Sequence, residues 1–132
     1  MEGTTRPMQP TSVLLADDDV RFRSIVRSLL ESDGYQVIAE AGNARETVAA
    51  AKDHLPDVVV VDLVMEGAHG LSAVEELVAL DPHRPVIVIS SLFDPLIEIE
   101  AGRLGAWYLE KVEGVEALEH VIDQAMSVTH PR

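Results

Sequence analysis

The chain has 132 residues, 47% of them hydrophobic and none of them cysteine, and its 10 lysines and arginines against 23 aspartates and glutamates give a formal net charge of −13. This length fits one domain with a sizeable core, the negative charge opposes direct binding to nucleic acid or to an anionic membrane, and the absence of cysteine excludes disulfides and thiol chemistry. No apolar stretch is long enough to cross a bilayer and the N-terminus lacks the regions of a signal peptide, so we expect a cytoplasmic protein without membrane contact.

The first strand and helix are predicted to follow an N-terminal tail. Residues 1–11 contain two prolines among small polar residues, which indicates a loose tail. The short apolar run 13–16 fits a buried strand. Gly34 is predicted to end the helix that follows. The apolar positions of that helix recur at helical spacing: Phe22, Ile25, Val26, Leu29 and Leu30.

Two further strands enclose a second helix. Residues 35–41 have the composition of a strand. Asn43, followed three residues later by Glu46, resembles a capping box and predicts an alanine-rich helix that reaches His54. The run 58–61 is four valines without alternation, which is typical of a central parallel strand covered on both faces.

The second half of the chain continues the alternation of helix and strand. Residues 86–89 form a fourth buried apolar run, and residues 107–109 a short fifth strand. Between them, Asp94 at an N-cap position before Pro95 predicts a fourth helix that reaches about Leu104. Two apolar stripes predict the third and fifth helices: Leu71, Val74, Leu77 and Val78, and then Val115, Leu118, Ile122, Ala125 and Met126.

Five strands alternating with five helices predict an α/β protein. Alternation of this kind favours a doubly wound (βα)5 sandwich around a five-stranded parallel sheet. The predicted domain spans residues 12–127, with tails over residues 1–11 and 128–132.

Acidic side chains follow two of the predicted strands. Asp17, Asp18 and Asp19 come directly after the first strand, and Asp62 follows the valine run. Open parallel sheets place their sites at the carboxyl ends of their strands, so these carboxylates are expected to meet. Crowded carboxylates resist ionising together unless a cation offsets their charge, and an all-oxygen ligand set suits Mg²⁺.

Two further polar residues are expected at the same rim. Ser90 ends the fourth strand and Lys111 follows the fifth, and Lys52 is the only other lysine in the chain. With the acids neutralised by a metal, one carboxylate can attack a phosphorus atom and form an acyl phosphate. The Ser90 hydroxyl and the Lys111 ammonium are then placed to contact the phosphoryl oxygens.

At this point the residues resemble a known family, the response-regulator receiver domains of two-component signalling, which share the CheY-like (flavodoxin-like) fold. The resemblance covers about residues 12–126. Four motifs carry it, Leu14-Leu15-Ala16-Asp17-Asp18, Asp62-Leu63-Val64-Met65-Glu66-Gly67-Ala68-His69-Gly70, Ile89-Ser90-Ser91 and Tyr108-Leu109-Glu110-Lys111. The stretch Ile38-Ala39-Glu40-Ala41-Gly42-Asn43 is similar to the NarL/FixJ class.

The resemblance implies a role for each matching residue. It makes Asp62 the phosphoacceptor, and it assigns Mg²⁺ to Asp17, Asp18, Asp62 and the main-chain carbonyl of Val64. Ser90 and Lys111 become the phosphoryl contacts, and Ser90 and Tyr108 the switch residues.

The resemblance also implies partners. The phosphoryl donor is expected to be a histidine kinase or a histidine phosphotransfer protein. No enzymatic activity is expected beyond self-phosphotransfer and autodephosphorylation. The output is expected through an effector protein that binds the surface of the fourth helix, fifth strand and fifth helix, or through a homodimer. Glutamates make that surface acidic, so a symmetric dimer there would oppose like charges: Glu98, Glu100, Glu110, Glu113, Glu116 and Glu119.

Other interpretations stand beside these. One of the three consecutive acids is expected to cap the first helix, with Asp19 the candidate. The arginines after them form either a solvated helix face or a docking surface for a partner: Arg21, Arg23 and Arg27. The alternative functions are a haloacid-dehalogenase-type phosphohydrolase, since Asp17 and Asp19 form an Asp-x-Asp pair, and a receiver-like scaffold that is never phosphorylated.

The residues two positions after Asp62 and Ser90 predict a long-lived phosphoryl group. They are Val64 and Leu92, and neither side chain can orient an attacking water.

Overall fold

The elements alternate along the chain as predicted. The computed structural model describes residues 9–65, 71–91 and 93–129. The strands are β1 (Ser12–Ala16), β2 (Gln36–Ala41), β3 (Val58–Asp62), β4 (Val86–Ser90) and β5 (Trp107–Glu110). The helices are α1 (Val20–Ser32), α2 (Ala44–His54), α3 (Ser72–Leu80), α4 (Pro95–Arg103) and α5 (Gly114–Thr129), and a 3₁₀ turn (Lys111–Glu113) precedes α5.

The five strands form one parallel sheet in the order β2-β1-β3-β4-β5. The predicted doubly wound (βα)5 fold is therefore confirmed. The chain leaves β1 toward β2 on one side and reaches β3 on the other, so the order reverses between β1 and β3. The carboxyl ends of β1 and β3 lie level, because Ala16 pairs with Val61. This reversal opens a crevice at the rim where the acids were expected.

Alternate residues of each strand divide the core into two layers. In β1, Leu14 and Ala16 face the layer that contains α2 and α3, while Val13 and Leu15 face the layer that contains α1 and α5. The central strand β3 is buried on both faces along its whole length, which explains its uninterrupted run of valines. Both layers therefore pack against the sheet below the crevice.

Side-chain caps mark the starts of α2 and α4. The Asn43 side chain accepts a hydrogen bond from the Glu46 amide at 2.8 Å, as the capping box predicts. The Glu46 carboxylate, however, accepts from the Gly42 amide at 2.9 Å, one residue before the cap. Asp94 caps α4 by accepting from the Leu96 amide at 3.0 Å.

Several predicted boundaries were off by a residue: β4 and β5 end at Ser90 and Glu110, each one residue later than predicted. Tyr35 was expected to begin β2, but the strand starts at Gln36. The Tyr35 hydroxyl instead donates to Asp123 Oδ1 of α5 at 2.7 Å, so its side chain joins the α5 layer. Across the described ranges, no helix combines the length and apolarity that a membrane span requires.

Candidate functional site

The loop between β1 and α1 carries the three consecutive acids in three different environments. Asp17 is fully buried, and its Oδ1 accepts a hydrogen bond from the Asp19 amide at 2.8 Å. Asp18 is exposed. Asp19 caps α1 by accepting from the amides of Arg21 and Phe22 at 3.0 and 3.2 Å. The assignment of the cap to Asp19 is therefore confirmed.

Asp62 is the last residue of β3 and meets the acids of the β1–α1 loop across the crevice. Asp62 is only 4% exposed. The Val64 amide donates a hydrogen bond of 3.4 Å to Asp62 Oδ1. Carboxylate oxygens of Asp17, Asp18 and Asp62 all lie within 4.8 Å of one another. The predicted meeting of these three side chains is thus present in the structure.

Lys111 reaches into this cluster from the end of β5. Its Nζ forms an ion pair with Asp17 Oδ2 at 2.7 Å and lies 3.4 Å from Asp62 Oδ2. The same ammonium stands 4.2 Å from the centroid of the Phe22 ring, within the range of a cation–π contact. One cation therefore bridges two buried carboxylates, with an aromatic ring closing its α1 side.

The electrostatics of the cluster favour an additional cation. Burial, followed by the negative charge of Asp17, raises the pKa of Asp62 to about 6, although Lys111 and the Val64 amide oppose this rise. Burial lowers the pKa of Lys111, but its interactions with Asp17 and Asp62 outweigh burial and the net pKa is raised. Lys111 therefore stays charged in the site, and the repulsion between Asp17 and Asp62 is only partly offset by it.

The donor set fits a magnesium ion. Three carboxylates supply oxygen ligands, and the geometry is open on the side of exposed Asp18. Asp17 Oδ2 is buried, and the Lys111 ammonium at 2.7 Å is its ion-pair partner. One ammonium for three clustered carboxylates leaves negative charge that a divalent cation would offset.

The remaining predicted residues lie nearby in the fold. Ser90 is buried at the end of β4, the strand next to β3. Val64 lies in the loop after β3, and its side chain is exposed. Tyr108 belongs to β5, where its half-buried side chain packs against the apolar layer on the α2 and α3 side. The motif residues Glu66 to Gly70, together with Leu92, lie outside the described residues.

The sequence did not reveal two features of this site. Phe22 was predicted only as part of an apolar stripe, yet its ring also contacts Lys111. Arg23 and Arg27 were predicted as a solvated face or a docking surface, but both form ion pairs with Glu40 of β2. The hydrogen bond from Arg27, the first of several causes, lowers the pKa of Glu40. No sequence spacing signals these contacts, since they join different elements.

The fold and the acidic pocket together define a class of protein: signalling domains of CheY-like fold whose pocket fits a phosphoacceptor site. The family model described as "Response regulator receiver domain" matches residues 13–123. The chain belongs to this family, and the resemblance found in its motifs is confirmed. It is therefore a receiver domain of two-component response regulators.

Individual relatives agree with this assignment. The chain is 35% identical over 94 residues to the chemotaxis protein CheY of Thermotoga maritima, which covers 71% of this chain and 78% of that protein. Among solved structures, the receiver domain of the putative response regulator NarL from Mycobacterium tuberculosis is 29% identical, with a TM-score of 0.81 over 91% of this chain and 99% of that one. A chain of the CheX–CheY–BeF3–Mg²⁺ complex from Borrelia burgdorferi is 26% identical, with a TM-score of 0.79 over 90% of this chain and 89% of that one.

Proposed function

We propose that Asp62 is the phosphoacceptor and that its donor is a phosphohistidine on a histidine kinase or a histidine phosphotransfer protein. The observation that carries this proposal is the geometry of the crevice: Asp62 ends the central strand, within 4.8 Å of Asp17 and Asp18, and Lys111 Nζ lies 3.4 Å from its carboxylate. Asp62 is the member of the cluster that the reversal of strand order places at the centre of the sheet.

The carboxylates of Asp17, Asp18 and Asp62, with the main-chain carbonyl of Val64, form the proposed Mg²⁺ site. A bound Mg²⁺ would neutralise the acids and polarise the phosphoryl oxygens. The pKa of Asp62 near 6 in the metal-free protein leaves this carboxylate mostly ionised at neutral pH. An ionised carboxylate is what nucleophilic attack requires.

In the transfer step, a carboxylate oxygen of Asp62 forms a bond to phosphorus as the phosphorus–nitrogen bond of the phosphohistidine breaks. The electron pair of that bond returns to the imidazole nitrogen. Lys111 exchanges part of its contact with Asp17 for a phosphoryl oxygen, and Ser90 donates a hydrogen bond to another. Ser90 ends β4, the strand beside β3, and Lys111 follows β5, the strand beyond β4.

The proposed output is a change in the surface of α4, β5 and α5, with Ser90 and Tyr108 as the switch residues. Phosphorylation biases two arrangements of such a surface. Leu96 and Ile99 are exposed apolar residues of α4, and the surrounding glutamates favour a partner with basic residues over a symmetric dimer. We take residues 12–127 as the receiver unit, acting in the cytoplasm.

The test of the phosphoacceptor is direct. Incubation with Mg²⁺ and acetyl phosphate, followed by mass spectrometry of the intact chain, should show one phosphoryl adduct. The adduct should be absent in Asp62→Asn and retained in Asp53→Asn, an exposed acid of α2 that serves as the matched control. Failure of the wild-type chain to form the adduct would support the phosphorylation-independent scaffold instead.

The phosphohydrolase alternative gains no support from the described site. That chemistry would use Asp17 as nucleophile and Asp19 as its partner. The Asp19 side chain instead caps α1, and Asp17 is fully buried against Lys111. Multiple turnover of small phosphate esters would be needed to restore that alternative.

A further inference from the structure

The three arginines that follow the acidic loop have different environments. Arg21 is exposed. Arg23 and Arg27 both turn toward β2, where they share one carboxylate: Arg23 Nε lies 2.9 Å from Glu40 Oε1, and Arg27 Nη1 lies 2.6 Å from Glu40 Oε2. Arg23 is the more enclosed of the two, with its side chain 16% exposed against 42% for Arg27.

Arg23 makes a second contact that Arg27 does not make. Its Nη1 donates a hydrogen bond of 2.6 Å to the main-chain carbonyl of Asp17. The guanidinium therefore connects the β1–α1 loop to Glu40 of β2. Arg27 donates instead to Glu31 of its own helix and to the carbonyl of Val37 in β2, so it reaches no residue of the loop.

The contacts of Asp17 show what this connection does. The Asp17 amide donates to the carbonyl of Ala41 in β2 at 2.9 Å, and its carbonyl accepts from Arg23. Both peptide groups of Asp17 are thus tied to β2, directly or through the Arg23–Glu40 pair. Fixing the backbone on both sides of Asp17 fixes the direction of its side chain and the start of Asp18.

A neighbouring glycine makes room for the guanidinium. A Cβ atom added at Gly42 would lie 3.3 Å from Arg23 Nη1 and 3.6 Å from Glu46 Oε1. The first of these distances is tighter than ordinary van der Waals contact, so a side chain at this position would press on the arginine. A Cβ at position 42 would therefore require Arg23 to shift by a few tenths of an ångström.

We propose that Arg23 is a positioning residue for the metal site, holding the Asp17 carbonyl so that the carboxylates of Asp17 and Asp18 face Asp62. This inference rests on the proposed Mg²⁺ site. Glu40 and Glu31 together balance the charges of Arg23 and Arg27, so Arg23 orients the loop without an uncompensated positive charge that would repel the metal. Partners that orient metal ligands in this way commonly change metal affinity by 10- to 100-fold when they are removed.

The experiment measures Mg²⁺ binding to the full chain by isothermal titration calorimetry at fixed pH and salt. Arg23→Ala should weaken Mg²⁺ binding by about tenfold or more. Arg23→Lys should show a smaller loss, because one ammonium can reach the Asp17 carbonyl but cannot also reproduce the fork that holds Glu40.

Arg27→Ala is the matched control, because it removes the same kind of side chain from the same carboxylate and touches no residue of the loop. Its Mg²⁺ affinity should stay within about twofold of the wild type, while its midpoint of thermal unfolding without Mg²⁺ falls. Retained affinity in Arg23→Ala, or equal losses in Arg23→Ala and Arg27→Ala, would overturn the proposal.

A folding defect does not remove the test. If Arg23→Ala does not fold, Arg23→Lys is compared with Arg27→Lys, and a loss of Mg²⁺ affinity confined to the first supports the proposal while equal affinities refute it. If the wild-type chain binds no Mg²⁺, or binds it with the same affinity as Asp17→Asn, the proposed metal site itself is refuted.

Discussion

Replacing Asp62, the proposed phosphoacceptor, with the neutral isostere asparagine should stabilise the metal-free protein. The pKa of Asp62 rises from an ordinary 3.8 to about 6, first because of burial and then because of Asp17. Each pKa unit is worth about 1.4 kcal/mol, so ionised Asp62 costs the folded state about 3 kcal/mol. The free energy of unfolding of Asp62→Asn should therefore exceed that of the wild type by up to about 3 kcal/mol at pH 8. This corresponds to a rise of roughly 10 °C in the midpoint of thermal unfolding.

The sign of the effect fixes its pH dependence. Because the pKa is higher in the folded chain than in the unfolded one, the favourable contribution of Asp62 is complete below pH about 4 and is lost as the pH rises through about 6. The gain in Asp62→Asn should vanish near pH 3.5. Saturating Mg²⁺ should raise the free energy of unfolding of the wild type, because the ion binds only the folded chain.

Urea unfolding followed by circular dichroism, with EDTA and from pH 3.5 to 8, measures this difference. Asp53→Asn, an exposed acid of α2, controls for the loss of one negative charge. Curves for wild type and Asp62→Asn that stay parallel across this range would show that the repulsion inferred at the site is absent.

Three further predictions concern charge and lifetime. Lys111→Met should tighten Mg²⁺ binding by roughly tenfold in calorimetry, because the ammonium and the metal repel one another at the same acids; weaker binding would contradict this. Burial and then a hydrogen bond with Asp33 raise the pKa of Glu119 to about 7, so the stability that this group contributes is lost as the pH rises through about 7. Glu119→Gln should therefore raise the unfolding midpoint at pH 8 and not at pH 4, whereas a constant difference would argue against the raised pKa. Val64→Asn combined with Leu92→Glu should shorten the lifetime of the phosphoryl adduct, read by mass spectrometry over time, and an unchanged lifetime would exclude side-chain control of the attacking water.

The sequence predicts the acidic site well because the site follows from strand geometry. Runs of four apolar residues end at Ala16 and Val61, and parallel strands bring the residues after such runs to one rim. The pairing of Ala16 with Val61 therefore sets Asp17 beside Asp62. Lys111 was predictable for the same reason, since β5 belongs to the same sheet.

Contacts made by the helices were not predictable in this way. The stripe of α1 shows which residues face the sheet, but not that Phe22 lies beneath Lys111 or that Arg23 reaches Asp17. Those contacts depend on where α1 lies along the sheet. That placement is a tertiary property that a periodic pattern does not encode.

Among the described residues, exposed Asp18 lies on the solvent side of the pocket and buried Asp17 on its inner side. An Mg²⁺ ion at the proposed site could therefore exchange with solvent without unfolding of the sheet. If so, the fraction of protein ready to accept a phosphoryl group would depend on the concentration of free Mg²⁺ around it.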